Sequence, residues 1–230
     1  MIRRSALVCG ATGDIGQAVA AALAETGVDV IAVGRRGALL GALAARHPGA
    51  IEPVAADLTL PAGRDDVVAA ASRRGRLDLL VLGSGIYERS HDPAALARQL
   101  AANVEAPYAL LRAVLPLLVA AMGHVVVVNS TQGLAASAEA GQYAATQHAM
   151  RAIADSLRDE VNALGVRVAS IFLGRTATSR QAAIFAAERR DYLPERLLQP
   201  EDVAGLVTML LHLPPTAEVT NLMVRPRVKT

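Results

Sequence analysis

Short apolar runs rich in Val, Ile and Leu alternate with longer Ala-rich stretches along almost the whole chain. The runs at 6–9, 29–33, 51–55, 77–82, 124–129, 167–172 and 219–224 predict strands. Several are apolar at both alternating positions, which suits strands covered by helices on both faces. Helices are expected over 15–26, 37–46, 65–74, 94–122, 142–164 and 201–213. A β-then-α alternation of this kind predicts an α/β fold, a doubly wound parallel sheet of about seven strands with right-handed crossovers. No linker, fixed-period repeat or low-complexity tail interrupts the pattern, so residues 1–230 are expected to form a single domain. Residues 175–200 keep poor periodicity between a strand and a helix. We expect a lid or substrate loop there, with a short helix over 178–190.

Composition narrows the picture. The 230 residues are dominated by Ala, Leu and Val with no Trp, so the core must be aliphatic and its elements closely packed. A net charge of +2 gives no electrostatic reason to expect a nucleic-acid partner. The single Cys9 excludes an intrachain disulfide and suits a reducing cytoplasm. The apolar run after Arg3 and Arg4 is short for a signal peptide. The most apolar region, 106–128, is broken by Arg112, Pro116 and His124, and reads as a buried helix followed by a buried strand, not a membrane span. We therefore expect a soluble, cytoplasmic protein with no membrane partner. His47, His91, His124, His148 and His212 stand at no metal-ligand spacing, so no metal site is expected.

Chemistry is concentrated where strands give way to helices. Gly10-Ala11-Thr12-Gly13-Asp14-Ile15-Gly16 lies between the first strand and the first helix. Glycines there permit a tight turn and let a pyrophosphate approach the backbone, while the helix N-terminus offers unpaired N–H groups to the phosphates. After the second strand, Gly34-Arg35-Arg36 carries no acid of the kind that binds a ribose 2′-hydroxyl in NAD sites. Two guanidinium groups there suit a 2′-phosphate, so NADP(H) is expected over NAD(H), the alternative being a solvated helix start. Asp57 and Leu58 follow the third strand, and Gly83-Ser84-Gly85 follows the fourth. Asn103 sits in the middle of a helical stretch, where an asparagine costs about 0.5 kcal/mol relative to alanine. The stretch 129–151, NSTQGLAASAEAGQYAATQHAMR, runs from Ser130 through a small-residue loop to a helix on which Tyr143 and Gln147 share one face at i and i+4. After the sixth strand comes Leu173-Gly174-Arg175-Thr176-Ala177-Thr178.

Taken in order, these motifs resemble the short-chain dehydrogenase/reductase family, whose pattern is Ser, about thirteen residues, then Tyr-x-x-x-Lys. The resemblance runs from the first strand to the last and implies a Rossmann-type domain, an NAD(P)(H) cofactor, a small-molecule substrate, and oxidation of an alcohol or reduction of a carbonyl. It implies Tyr143 as acid/base and Ser130 as the group polarising the carbonyl. Asn103 matches the asparagine that helps hold a proton-relay water. Asp57, with Leu58 beside it, matches the acidic residue that hydrogen-bonds adenine, although Asp57 would serve equally as a turn cap before Pro61. Gly83, Ser84 and Gly85 stand where the family commonly has Asn-Ala-Gly beside the adenosine ribose. Gly174, Thr176 and Thr178 match the segment that contacts the nicotinamide, with Leu173 in place of its proline. The glycine spacing departs from the commoner Gly-x-x-x-Gly-x-Gly, with Asp14 where the middle glycine would fall.

The main departure is at 147, where Gln replaces the lysine. A lysine ammonium lowers the tyrosine pKa from about 10 and hydrogen-bonds the nicotinamide ribose. The Gln147 amide can keep the ribose contact but carries no charge. Three readings follow. The first is an NADP-dependent reductase with an atypical Tyr-x-x-x-Gln site. The second is an impaired partner subunit of an active homologue, and the third is a redox-neutral enzyme of dehydratase or cyclase type. The Ala-rich stretches 94–122 and 142–164 are expected to pair, giving a homodimer or tetramer, or a heterodimer with a homologue.

Overall fold

The seven expected strands form one sheet in the computed structural model, which describes residues 3–228. They are β1 (Ser5–Cys9), β2 (Asp29–Gly34), β3 (Ile51–Ala55), β4 (Leu79–Leu82), β5 (His124–Ser130), β6 (Arg167–Leu173) and β7 (Asn221–Val224). Their order is β3-β2-β1-β4-β5-β6-β7, and every neighbouring pair is parallel. The helices are α1 (Asp14–Glu25), α2 (Gly37–Arg46), α3 (Pro61–Ser72), α4 (Pro93–Leu100), α5 (Ala106–Ala121), α6 (Gly141–Val161), α7 (Ser179–Ala187) and α8 (Pro200–Leu211). Alternation along β1 sends Ala6 and Val8 to one face, against α1 and α8, and Leu7 and Cys9 to the other, against α3, α5 and α6. Both faces are therefore covered, as the uninterrupted apolar runs require.

Most expected boundaries fall within two residues of the observed ones, and the exceptions have causes. α3 starts at Pro61 instead of 65, because proline at the first helical position has its φ already set and no N–H to lose. The expected helix over 94–122 is not one regular helix. A π-helical turn, Ala101–Glu105, separates α4 from α5 and carries Asn103. Such widened turns hold one extra residue, which displaces a side chain from regular helical spacing. The combined run Pro93–Ala121 is long and apolar enough by composition to cross a membrane. Here Leu110, Leu111, Val114 and Leu118 are buried in the core. The short helix expected over 178–190 is α7, and its segment is pinned at both ends. Ala177 N–H donates to the Leu198 carbonyl at 2.7 Å, and Leu198 N–H to the Arg175 carbonyl at 3.1 Å.

His124 opens β5 at the opposite edge of the sheet from the glycine-rich turns. It is buried, faces Arg167 in register across to β6, and lies near Arg4 and Asp78. Burial pushes its pKa down to about 4, with the cations Arg167 and Arg4 adding to the effect and Asp78 opposing it. The folded chain thus holds a neutral imidazole where the unfolded chain titrates near 6.5. Below about 6.5 the unfolded state binds a proton that the fold refuses, so stability falls with pH until about 4. The loss should approach about 3 kcal/mol at most. Urea unfolding at about pH 7 and about pH 4.5 should show it. His124→Gln should flatten that part of the profile, and an equal slope in both proteins would assign the effect elsewhere.

Candidate functional site

In a parallel sheet all strand C-termini lie at one edge, and a crevice opens there where the order reverses, between β1 and β4. The sequence makes that crevice by leaving out side chains. Gly10 has φ +86°, and a Cβ on it would lie 2.7 Å from the Gly83 carbonyl oxygen. A Cβ on Gly16 would collide with the Gly10 carbonyl. Gly13 is the N-cap of α1 and provides no side-chain cap, so the first-turn N–H groups face the crevice without a side-chain partner. Ser84 adds a buried hydroxyl with no hydrogen-bond partner among the described residues. It lines both of the cavities that flank this contact.

The smaller cavity, about 250 Å³, is bounded by Gly10, Thr12 and Gly13, by Arg35 and Arg36, and by Asp57 and Leu58. Gly83 and Gly85 close its side toward the larger cavity. The Arg36 guanidinium donates to the Thr12 carbonyl, fastening the turn after β2 to the turn after β1. The Asp57 carboxylate accepts the Thr59 hydroxyl at 2.7 Å and the Thr59 N–H at 2.9 Å. These two bonds hold its pKa below the usual carboxylate range, with Arg35 contributing and partial desolvation opposing. Asp57 thus caps its turn and faces the cavity as well. A backbone cradle that a Cβ would fill, an orphaned hydroxyl and two guanidinium groups together fit a phosphorylated dinucleotide.

The larger cavity, about 540 Å³, brings together Ser130, Tyr143, Gln147 and Asn103 with Ile15, Gly174, Thr176 and Thr178. Ser130 ends β5, accepts the Gln132 N–H at 3.2 Å and lines the same cavity as the Tyr143 phenol. The Tyr87 ring stands edge-on to Tyr143, with centroids 5.2 Å apart and planes at 84°. Desolvation raises the Tyr143 pKa above its ordinary 10, Arg180 and the Ser130 hydroxyl oppose that rise, and Tyr87 adds to it. The phenol is therefore neutral across the physiological range. Gln147 is buried, and its amide donates to the Thr146 hydroxyl at 3.3 Å.

Several expected residues carry contacts that hold the fold around the site. Asn103 lines the cavity, but one amide proton goes to the Ile86 carbonyl at 2.9 Å and the other to the Thr146 hydroxyl at 3.1 Å. Its side-chain oxygen accepts the Ile86 N–H at 2.7 Å. The side chain therefore clamps the chain after β4 to α6. Asp14, expected beside the phosphates, gives its carboxylate to Ser179, accepting the N–H and the hydroxyl at 2.9 Å each. Thr178 caps α7 by accepting the Gln181 N–H at 3.1 Å, and the Thr176 hydroxyl donates to the Gly174 carbonyl at 3.2 Å. Gly174 is needed where it is, since a Cβ would lie 2.9 Å from the Arg225 side chain. Arg151, one turn beyond Gln147 on α6, lies over the Phe172 ring and beside Asp155.

Four participants had no signal in the sequence. Thr146 is fully buried and ties Asn103, Gln147 and the Tyr143 carbonyl into one network. Asn129 donates to the Gln147 carbonyl at 3.0 Å and accepts the Ser130 N–H at 2.6 Å, joining β5 to α6. Ser179 holds Asp14. Arg180 reaches from α7 to donate to the Gly85 carbonyl at 2.6 Å and borders both cavities.

Comparison with known proteins agrees with this architecture. A family model described as short chain dehydrogenase matches residues 4–189. An uncharacterized short-chain type dehydrogenase/reductase of Sinorhizobium fredii is 30% identical, the match covering 96% of this chain and 90% of the relative. Among solved structures, the closed form of a serine dehydrogenase complexed with NADP+ superposes with a TM-score of 0.89 at 24% identity, covering 98% of this chain and 96% of that one. A metagenomic short-chain oxidoreductase in complex with NADP gives a TM-score of 0.81 at 27% identity, covering 98% of each chain.

Proposed function

The chain belongs to the short-chain dehydrogenase family, and we propose that it is an NADP(H)-dependent reductase of small carbonyl compounds. The observation that carries this reading is the neutral, partly desolvated Tyr143 phenol, with Ser130 in the same cavity, which shares a wall with the dinucleotide crevice. Gly10, Gly13 and Gly16 would let the cofactor's phosphates approach the N-terminus of α1. Arg35 and Arg36 would hold a 2′-phosphate, Asp57 and Leu58 the adenine, and Ser84 a ribose hydroxyl. Gln147 would hold the nicotinamide ribose, with Thr176 and Thr178 beside the ring. The cofactor, when bound, supplies the hydride that reduces the carbonyl carbon.

The chain's own residues manage the proton. Ser130 O–H donates to the carbonyl oxygen and polarises it, and Tyr143 O–H donates its proton as negative charge develops there. The phenolate left behind takes a proton from solvent through the cavity mouth. A raised phenol pKa keeps Tyr143 in the acid form, which suits reduction better than the reverse reaction. Gln147 is neutral, so it orients without driving the phenol toward phenolate. The NADP complex of the metagenomic relative is consistent with the choice of cofactor.

Two outcomes follow. NADPH should bind more tightly than NADH by at least about tenfold, worth about 1.4 kcal/mol, and Arg35→Glu should remove most of that difference without weakening NADH. Calorimetric titration of both cofactors checks this, and equal affinities in the native chain would contradict the placement of Arg35 and Arg36. Gln147→Lys adds an ammonium beside the phenol and should move the alkaline limb of the pH–rate profile for ketone reduction to lower pH. Each unit of movement corresponds to about 1.4 kcal/mol between protonation states. The effect should vanish in a Tyr143→Phe background, and a limb that persists there would mean that another group titrates.

A further inference from the structure

The cavity holding Tyr143 contains several charged groups, and their pairing is uneven. Arg89, from the chain after β4, pairs with Glu139 ahead of α6 and lies 3.6 Å from Glu188. Arg175 pairs with the same Glu188 at 3.4 Å. Arg180 is the third arginine lining this cavity, and among the described residues no carboxylate lies within salt-bridge distance of it. Its one hydrogen bond to the protein goes to a neutral carbonyl, Gly85, at 2.6 Å. Its charge is therefore uncompensated in the cavity that Tyr143 also lines.

The position of that charge is built, not incidental. Ser179, the residue before it, is held by two hydrogen bonds to Asp14 in the first turn of α1, across 165 positions of sequence. Thr178 caps the same helix. The segment's two ends are joined at Thr176 and Leu198. Gly85, which receives the guanidinium, lies against Asn103, and Asn103 is bonded through Thr146 to the turn of α6 that carries Tyr143. On α6 itself, the residue one turn from Tyr143 is the neutral Gln147.

We propose that Arg180 supplies, from α7, the positive charge toward the Tyr143 phenol that Gln147 does not carry, so that this segment completes the acid–base group. Arg180 is thus a positioning residue acting through Tyr143. The inference rests on reading Tyr143 as the proton donor. In electrostatic terms Arg180 is the largest influence opposing the desolvation of the phenol, ahead of the Ser130 hydroxyl, while Tyr87 acts in the other direction. It also gives Asp14 a purpose where a glycine would have been expected, since that carboxylate fixes the residue preceding Arg180.

The test follows the four tyrosine phenols by NMR in protein labelled at the tyrosine ring carbon, with Tyr143→Phe identifying the Tyr143 signal. Arg180→Met should raise the Tyr143 titration midpoint by about one unit, a tenfold change in the proton equilibrium. Arg180→Lys should leave it near the native value. Gln147→Lys in the Arg180→Met background should bring it back down. Arg175→Met, which removes a guanidinium already paired with Glu188, should leave it in place. The alkaline limb of ketone reduction should move in parallel with each midpoint. An unchanged midpoint in Arg180→Met, or an equal shift in Arg175→Met, overturns the proposal. So does a loss of NADPH affinity without any change in titration, which would make Arg180 a phosphate anchor. If the midpoint shifts as expected but no carbonyl is reduced, the coupling stands and the reductase reading falls. If carbonyls are reduced and the midpoint does not move, only the coupling falls.

Discussion

The backbones leaving β1 and β4 meet at Gly10 and Gly83 with no room for a Cβ between them, and the site is arranged around that contact. Because the sheet is parallel throughout, every strand delivers its following turn to the same edge. Because the strand order reverses between β1 and β4, their helices cover opposite faces and leave the edge open there. The glycine contact then divides the opening into two adjoining cavities. One is walled by the turns after β1, β2 and β3, and the other by the turns after β4, β5 and β6. A Cβ at Gly10 would lie 2.7 Å from the Gly83 carbonyl oxygen, so a side chain there would push the strands' ends apart.

Within the larger cavity the governing quantity is the charge around one phenol. Burial disfavours phenolate, and an edge-on tyrosine adds to that. The residue one turn along α6 is neutral, and among the described residues a serine hydroxyl and a guanidinium from another element act the other way. The balance leaves a protonated phenol beside a hydroxyl donor, which is the state needed to give a proton to a developing alkoxide. In the proposed reading, helix α6 would contribute the acid, and the segment after β6 the nearby positive charge. The two would then be coupled by packing instead of by one turn of helix.

The sheet, its parallel sense and its order of motifs were legible because each rests on local pattern: apolar runs, glycines at turns, and a Ser-to-Tyr spacing contained in 129–151. The limits were equally physical. Nothing in the helical stretch 94–122 marks the π turn at Asn103, since the stretch is apolar almost all round and gives no single face whose phase could be seen to shift. Thr146 is a small residue on a buried helical face and looks the same in sequence whether it packs or bridges. Asp14 read as part of a phosphate turn because its partner Ser179 is remote in sequence, and no local rule connects them. Arg180 lay in the stretch with the weakest periodicity, where sequence offers neither a face nor a direction for a side chain.

The central claim is that this chain moves a hydride to a carbonyl while Tyr143 provides the proton. Deuterium transfer measures it most directly. NADPH carrying deuterium at the transferring position of the nicotinamide is incubated with the protein and a panel of ketones and aldehydes, and the products are read by mass spectrometry. The account predicts one deuterium bound to carbon in each alcohol formed, with loss of that product in Tyr143→Phe. Conversion of a substrate with no deuterium transferred and no cofactor consumed would contradict it.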